Sequence, residues 1–149
     1  MLSKARIGTH PIHPMLIPFP LALWTGAVLF DAVAKYTAGH WHLHIVAYDM
    51  ILLGCVGAVI AAIPGFIDLF GATEPGSRAR SIGWTHALLN LTALAVFATG
   101  AYSRHLRHGT PSVTGYITDI IGVLIIGFSG WLGGALVYEH RVAIPDAGD

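Results

Sequence analysis

Four long apolar stretches divide the sequence. They run from about 14 to 34, 45 to 70, 82 to 102 and 115 to 138. Each is long enough for a helix that crosses a bilayer, which takes about 20 residues. Short polar or turn-rich segments join them, so successive helices should be antiparallel neighbours. The pattern predicts an all-α fold: an integral membrane up-down four-helix bundle that forms a single domain over residues 1–149.

Small residues recur along two of the predicted helices and should allow close helix packing. The second helix carries Gly57, Ala61 and Gly65, and the fourth carries Gly127, Gly130 and Gly134. No internal repeat is visible in the sequence.

Composition supports a membrane protein. Of the 149 residues 54% are hydrophobic and 11% charged, with a mean hydropathy of +0.66, which is too apolar for an ordinary soluble domain. The formal net charge is zero, so nothing favours a nucleic-acid partner. We expect the first apolar stretch to be a retained helix, since its prolines and Asp31 are atypical of a signal peptide.

Four crossings return both termini to one side, which we call side A; the opposite side is side B. Lysine and arginine are more frequent on side A, which favours the cytoplasm for that side under the positive-inside rule. We expect a location in a bacterial inner membrane. The side A residues are Lys4, Arg6, Arg78, Arg80 and Arg141, against Lys35, Arg104 and Arg107 on side B.

Histidines suggest a cofactor site on side A. The topology gathers four of them there: His10, His13, His86 and His140. A proline follows both His10 and His13, so we expect an extended lead-in before a helix that begins near Pro14. Two imidazoles from different helices are the ligands that haem b requires. We expect His13 and His86 to form the first ligand pair, with His10 and His140 as a second pair or as further contacts.

Other residues extend this hypothesis. Asn90 shares a helix face with His86, and Gly130 and Gly134 would provide room for the ring. The same histidines would also suit zinc or non-haem iron, with Asp68, Glu74 and Glu139 as outer partners. The structural alternative is that each histidine anchors a helix end at the membrane surface. No CxxCH motif for covalent haem attachment is present.

Acidic residues inside predicted membrane helices are costly and should face a partner or water. These residues are Asp31, Asp49, Asp68 and Asp119. Lys35 lies one turn beyond Asp31 and is its nearest candidate partner. The functional alternative is a proton path to a redox site or a quinone. On side B, five histidines should form a titratable rim: His40, His42, His44, His105 and His108. The alternative for the alternating His40, His42 and His44 is a metal site.

Several segments together resemble the membrane family known as domain of unknown function 2231. They are HPIHPMLIPFPLALWTGAVLFD, AAIPGFIDL, WTHALLN and GWLGGALVYEHRV, and the resemblance covers about Gly8 to Val142. The family pattern falls on His10, His13, Asp31, Asp68, His86, Asn90, Gly133, Gly134, Tyr138 and His140. The chain departs from it at Glu139-His140-Arg141-Val142, where a His-Gly-Val ending is more usual.

The resemblance implies electron transfer with the membrane quinone pool, because similar proteins are fused to Rieske iron–sulfur domains or accompany sugar dehydrogenases. Our leading expectation is therefore a non-catalytic electron-transfer subunit that binds haem b and exchanges electrons with quinone or a redox protein. One alternative is a cofactor-free anchor subunit of a larger complex or homo-oligomer. Another is a membrane protein that binds zinc or non-haem iron.

Overall fold

The computed structural model describes residues 2–144, and Met1 and residues 145–149 of the predicted domain lie outside that range. Within residues 2–144 a two-stranded hairpin precedes five helices. In chain order the elements are β1 (Arg6–Ile7), β2 (His10–Pro11), α1 (Ile12–Leu16), α2 (Pro18–Tyr36), α3 (Leu43–Gly71), α4 (Arg78–His105) and α5 (Val113–Tyr138).

Four of the helical segments are long and apolar enough to cross a membrane, and they confirm the predicted all-α membrane bundle. The first combines α1 and α2 and runs from Ile12 to Tyr36. The two helices divide at Ile17, because Pro18 has no N–H group to continue the ladder. The other three spans coincide with α3, α4 and α5. Each begins or ends within four residues of its predicted bounds.

The N-terminal lead-in differs in part from the prediction. His10 is extended, as expected, and belongs to an antiparallel hairpin in which Ile7 faces His10. Gly8 closes that hairpin with a φ of +60°, a conformation that glycine adopts without steric cost. The helix begins at Ile12 rather than near Pro14, so His13 lies in its first turn instead of on an extended segment.

Hydroxyl side chains cap the later helices. Ser77 and Ser112 precede α4 and α5, and each accepts a hydrogen bond from a backbone N–H three residues on, at 3.1 Å. Helix α4 continues past its predicted end at Tyr102 as far as His105. Gly109, with a φ of +87°, then donates its N–H to the Arg104 carbonyl at 2.9 Å. This extension brings Arg104 into the bundle rather than into a loop.

The two described ends of the chain lie together. Leu2 and Ala143 form a parallel β-bridge, which places both ends on side A, as an even number of crossings requires. The outer faces of the helices expose large apolar side chains, such as Leu53 (59% exposed), Leu88 (65%) and Leu124 (69%). These are the faces that lipid chains would cover.

The centre of the bundle is an aromatic pair. Trp24 of α2 stacks on Phe97 of α4, with ring centroids 4.4 Å apart and planes 12° from parallel. Gly54 and Gly122 lie against the two rings, where a Cβ would approach to 2.6 Å and 2.5 Å respectively. The core around this pair consists of Ala27, Ala47, Ile51, Ala93, Ala101 and Ile126.

Candidate functional site

Two histidines that are far apart in the sequence are neighbours in the side A half of the bundle. His13 projects from α1 and His86 from α4, and their ring centroids lie 6.3 Å apart with planes 89° from parallel. Both side chains are partly buried. The sequence predicted this pair as the first pair of ligands, and the fold brings it together.

Both imidazoles are held in one tautomer by backbone carbonyls. His13 Nδ1 lies 2.7 Å from the Ala61 oxygen, and His86 Nδ1 lies 2.8 Å from the Ser129 oxygen. A carbonyl oxygen only accepts hydrogen bonds, so Nδ1 of each neutral ring carries the proton. The Nε2 atom of each ring is then a lone-pair donor, which is the arrangement that metal-bound histidines use.

His86 has two further polar neighbours. The Asn90 amide donates from Nδ2 to His86 Nε2 at 3.0 Å and to the His86 carbonyl at 2.9 Å. The Ser129 hydroxyl lies 3.0 Å from His86 Nδ1. Asn90 therefore shares a face with His86 as predicted, and it occupies the nitrogen that a metal would need.

Two glycines make room for the imidazoles. A Cβ on Gly65 would stand 2.9 Å from the His13 ring, and one on Gly133 would stand 3.1 Å from His86 Cε1. The two glycines predicted to adjoin a cofactor lie elsewhere. A Cβ on Gly130 would meet nothing within 4 Å, and one on Gly134 would meet only Tyr138 of the same helix. The glycine beside His86 is Gly133. The spacing of small residues along the helix does not show which way the helix is turned about its axis, so it could not identify Gly133.

His10 and His140 do not share the polar contacts of the pair. His10 is exposed on β2, and His140 lines a surface pocket together with Thr73, Glu74 and Ser77. Within residues 2–144 no group of three or more His, Cys, Asp or Glu side chains is placed to hold a metal ion. The predicted convergence of four histidines thus reduces to His13 and His86.

Asp68 anchors the N-terminal segment. Its carboxylate accepts the backbone N–H groups of Lys4 at 2.7 Å and Ala5 at 3.1 Å, and the Ser3 hydroxyl lies 2.8 Å and 2.9 Å from its two oxygens. These bonds account for a buried carboxylate at the end of α3. Asp49 is exposed. These two members of the predicted proton path therefore lie apart from the aspartates described next.

A buried cluster of charged groups lies in the side B half, and we call it the quartet: Asp31, His44, Arg104 and Asp119. Arg104 is completely buried, and its Nη2 donates to Asp31 Oδ2 at 2.5 Å and to Asp119 Oδ2. His44 Nδ1 lies 2.8 Å from the other oxygen of Asp31. All four long helices contribute one member.

The quartet corrects the predicted partner of Asp31. Lys35 was the nearest candidate in the sequence, but the partners are Arg104 and His44. Lys35 instead lies over the rings of Tyr116, at 4.7 Å, and Tyr36, at 5.4 Å. His44 therefore belongs to the quartet and not to the predicted histidine rim. His40 and His42 are exposed, as that prediction requires, and their ring centroids lie 5.9 Å apart.

Two segments of the chain are related by a constant spacing, and residues at equivalent positions of the two segments contact each other along the axis of the bundle. Asp31 and Arg104 are 73 positions apart, and the same interval separates His13 from His86 and Trp24 from Phe97. Each of these pairs is in contact. A residue that touches its own counterpart lies at a twofold axis. Helices α2 and α4 run in the same direction, so this pseudo-twofold axis is parallel to the membrane normal.

The partner helices repeat in the same way. An interval of 68 positions relates Ala61 to Ser129, Gly65 to Gly133 and Gly54 to Gly122. The members of each pair make equivalent contacts, either to His13 and His86 or to Trp24 and Phe97. The chain therefore contains two related hairpins, α1–α3 and α4–α5. No repeat is visible in the sequence itself, because few identical residues occupy equivalent positions and only their spacing reveals the relation.

The model of a family described as a predicted membrane protein, DUF2231, matches residues 9–146. No curated protein and no solved structure matches the chain.

Proposed function

The chain belongs to this family of predicted membrane proteins, and we propose that it is an electron-transfer subunit that binds one haem b between His13 and His86. The observation that carries the proposal is the pair itself. Two imidazoles from the two hairpins meet at the pseudo-twofold axis, and each has a fixed tautomer with Nε2 as the lone-pair donor.

The number of protein ligands favours haem over a bare metal ion. Zinc sites in proteins use three or four protein ligands, whereas a porphyrin supplies four nitrogens itself and leaves two axial positions for the protein. Residues 2–144 offer two imidazoles together and no larger group of metal-binding side chains. The alternative of a zinc or non-haem iron protein is therefore less well supported.

The separation of the rings is compatible with one shared metal atom. With metal–nitrogen bonds of about 2 Å, two imidazoles on opposite sides of a metal have centroids roughly 6 Å apart. The centroids here are 6.3 Å apart. Asn90 would have to release His86 Nε2 on haem binding, since that nitrogen can make one such bond. Gly65 and Gly133 keep Cβ atoms away from the two rings.

Electron exchange requires partners, and we propose two. The apolar outer faces of the bundle give access to a membrane quinone. A separate redox protein, such as a Rieske or dehydrogenase subunit, would supply or remove electrons. We also propose a bacterial inner membrane as the location, with side A in the cytoplasm. Burial of Arg104 within the quartet supports this orientation, because it increases the excess of exposed basic residues on side A.

A visible spectrum tests this proposal. Protein purified in mild detergent from haem-replete cells should show the Soret band of a low-spin haem that dithionite reduces. Alanine at His13 or at His86 should abolish it. His10→Ala and His140→Ala are matched controls, because these histidines lie outside the pair, and both variants should keep the band.

Two outcomes would contradict the proposal. A colourless protein that also fails to take up added haem would favour the alternative of a cofactor-free anchor subunit. A Soret band that persists in the His13→Ala and His86→Ala variants would mean that haem binds elsewhere. Elemental analysis of the same sample covers the metal alternative, which requires stoichiometric zinc or iron without porphyrin absorbance.

A further inference from the structure

We propose that the quartet is a proton-binding site, in which Asp119 takes up one exchangeable proton that enters from side B through His44. The quartet lies at the opposite end of the bundle from the two imidazoles, so this inference does not rest on haem binding. It is carried by the charges, contacts and burial of Asp31, His44, Arg104 and Asp119.

The charges do not balance without a proton. Two ionised aspartates and one guanidinium leave a net charge of −1 while His44 is neutral. Arg104 is 0% exposed and both aspartates are 2% exposed. An uncompensated charge in such surroundings is strongly unfavourable, because these side chains are shielded from bulk solvent. One bound proton makes the quartet neutral.

The contacts indicate which carboxylate takes the proton. Both oxygens of Asp31 have a partner, one in Arg104 and one in His44. Asp119 shares the same Nη2 atom through Oδ2, and its Oδ1 has no hydrogen-bond partner within residues 2–144. Asp31 is therefore the better-stabilised anion, and Asp119 is the group that is neutralised at least cost.

Unsatisfied donors indicate that water belongs here. Arg104 Nε and Nη1 are buried and lack a partner among the described residues, as does Asp119 Oδ1. Buried polar atoms in native proteins are usually satisfied by protein or by ordered water. A water between the two residues would accept from Arg104. It would donate to Asp119 Oδ1 when the carboxylate is ionised and accept from that atom when it carries the proton.

His44 provides the way in. Its side chain is 15% exposed, more than any other member of the quartet, and it lies at the start of α3, next to the side B loop. A proton that arrives at Nε2 allows Nδ1 to pass its own proton to Asp31. This leaves His44 neutral, with its proton on Nε2. Asp31 then passes a proton on to Asp119, beside it on Arg104.

Several other titratable side chains lie at this end of the bundle. Tyr116 of α5 lies edge-on to His44, with ring centroids 6.4 Å apart, and Lys35 of α2 covers the Tyr116 ring. The Tyr48 hydroxyl of α3 lies 3.4 Å from His105 Nδ1 of α4. Tyr36 of α2 lies beneath Lys35. None of these groups bonds to the quartet in the described chain, so each affects it only through its charge.

Infrared difference spectroscopy of the wild-type protein in lipid nanodiscs tests the proposal. A protonated aspartate has a carboxylic-acid C=O band that shifts in D2O. We expect one such band, which disappears as the pH is raised with the profile of a single proton. Asp119→Asn should abolish it. Asp49→Asn is the matched control, because Asp49 is exposed, and that variant should keep the band.

The wild-type spectrum decides the question even where a variant fails to fold. The proposal is overturned if the wild type has no pH-dependent carboxylic-acid band while it remains folded, since the quartet is then a fixed ion-pair cluster. It is equally overturned if the band persists in Asp119→Asn. His44→Gln should slow deuterium exchange at the band severalfold, and unchanged exchange would eliminate the proposed route. A visible haem spectrum plays no part in these outcomes.

Discussion

Each imidazole of the His13–His86 pair is oriented by a main-chain oxygen of the neighbouring helix. The partners are the carbonyls of Ala61 and Ser129. Main-chain partners keep the ring orientation independent of the side chain at the acceptor position, which explains how alanine and serine serve the same purpose. The orientation of the two rings therefore depends on how closely α3 and α5 approach the histidines. Gly65 and Gly133 allow that close approach.

A methyl group at Gly65 should displace the His13 ring. The added Cβ would stand 2.9 Å from ring atoms, and overpacking of this kind costs about 1–3 kcal/mol. We expect Gly65→Ala to lower both thermal stability and haem affinity. Gly130→Ala is the control, because its Cβ would meet open space, and it should change the free energy of unfolding by less than about 0.5 kcal/mol. Equal haem titrations for the two variants would contradict this role of Gly65.

The two aspartates of the quartet should differ in their importance to stability. If Asp119 is protonated, Asp31 is the anion that compensates the buried Arg104. Asp31→Asn should then cost about 3–5 kcal/mol, the usual cost of breaking a buried ion pair, whereas Asp119→Asn replaces a neutral acid by a neutral amide and should cost far less. Denaturation in detergent compares the two variants at neutral pH. Equal losses would indicate two ionised carboxylates.

The sequence predicted the histidine pair but not the quartet. His13 and His86 stand out because histidines are rare in apolar helices. The sequence predicts a basic loop at Arg104, since this residue follows Ser103 and precedes His105, Arg107 and His108. Only the three-dimensional fold shows that α4 continues through it. The available signal was the interval of 73 positions between Asp31 and Arg104, which is also the interval between the two histidines.

Among the elements, the N-terminal hairpin depends on a single carboxylate. Asp68, near the end of α3, accepts two backbone N–H groups from residues 4 and 5. The Ala5 carbonyl then accepts the N–H of Ile12, at the start of α1, at 2.9 Å. The position of His13, one residue further on, is therefore tied to the end of α3 through this chain of bonds.

Asp68→Ala should release the hairpin. Loss of the carboxylate leaves the N–H groups of Lys4 and Ala5 without their partner, at a cost of about 1–3 kcal/mol for each buried group. We expect faster amide hydrogen exchange at residues 4 and 5 and a less well fixed position of His13. Glu74→Ala removes an exposed carboxylate nearby and should leave the exchange unchanged. Full protection of both amides in Asp68→Ala would contradict the anchor.

The elements themselves were largely predictable. Length and hydropathy identify all four spans, because a bilayer demands about 20 apolar residues whatever the details of packing. The helix ends were less predictable, since polar residues at the end of an apolar run, such as Arg104 or His13, favour a loop in a prediction from sequence. Orientation about each helix axis was also beyond the sequence, as the different surroundings of Gly130 and Gly133 illustrate.

At the scale of the whole molecule, the fold is two related hairpins that meet at a pseudo-twofold axis. From side A to side B the axis passes through the imidazole pair, the stacked pair of Trp24 and Phe97, and the ion pair of Asp31 and Arg104. The layers differ in symmetry. The imidazole pair takes the same side chain from both hairpins, as the proposed haem site requires. The ion pair unites opposite charges, and it belongs to the proposed proton-binding site.

Titration of haem into the purified apoprotein is the most direct test of haem binding between His13 and His86. We expect saturation at one haem per chain, with the spectrum of a low-spin, bis-histidine haem after reduction. A chain that carries both His13→Ala and His86→Ala should lose that binding. Failure of the wild-type chain to bind haem, or unchanged binding by the double variant, would contradict it.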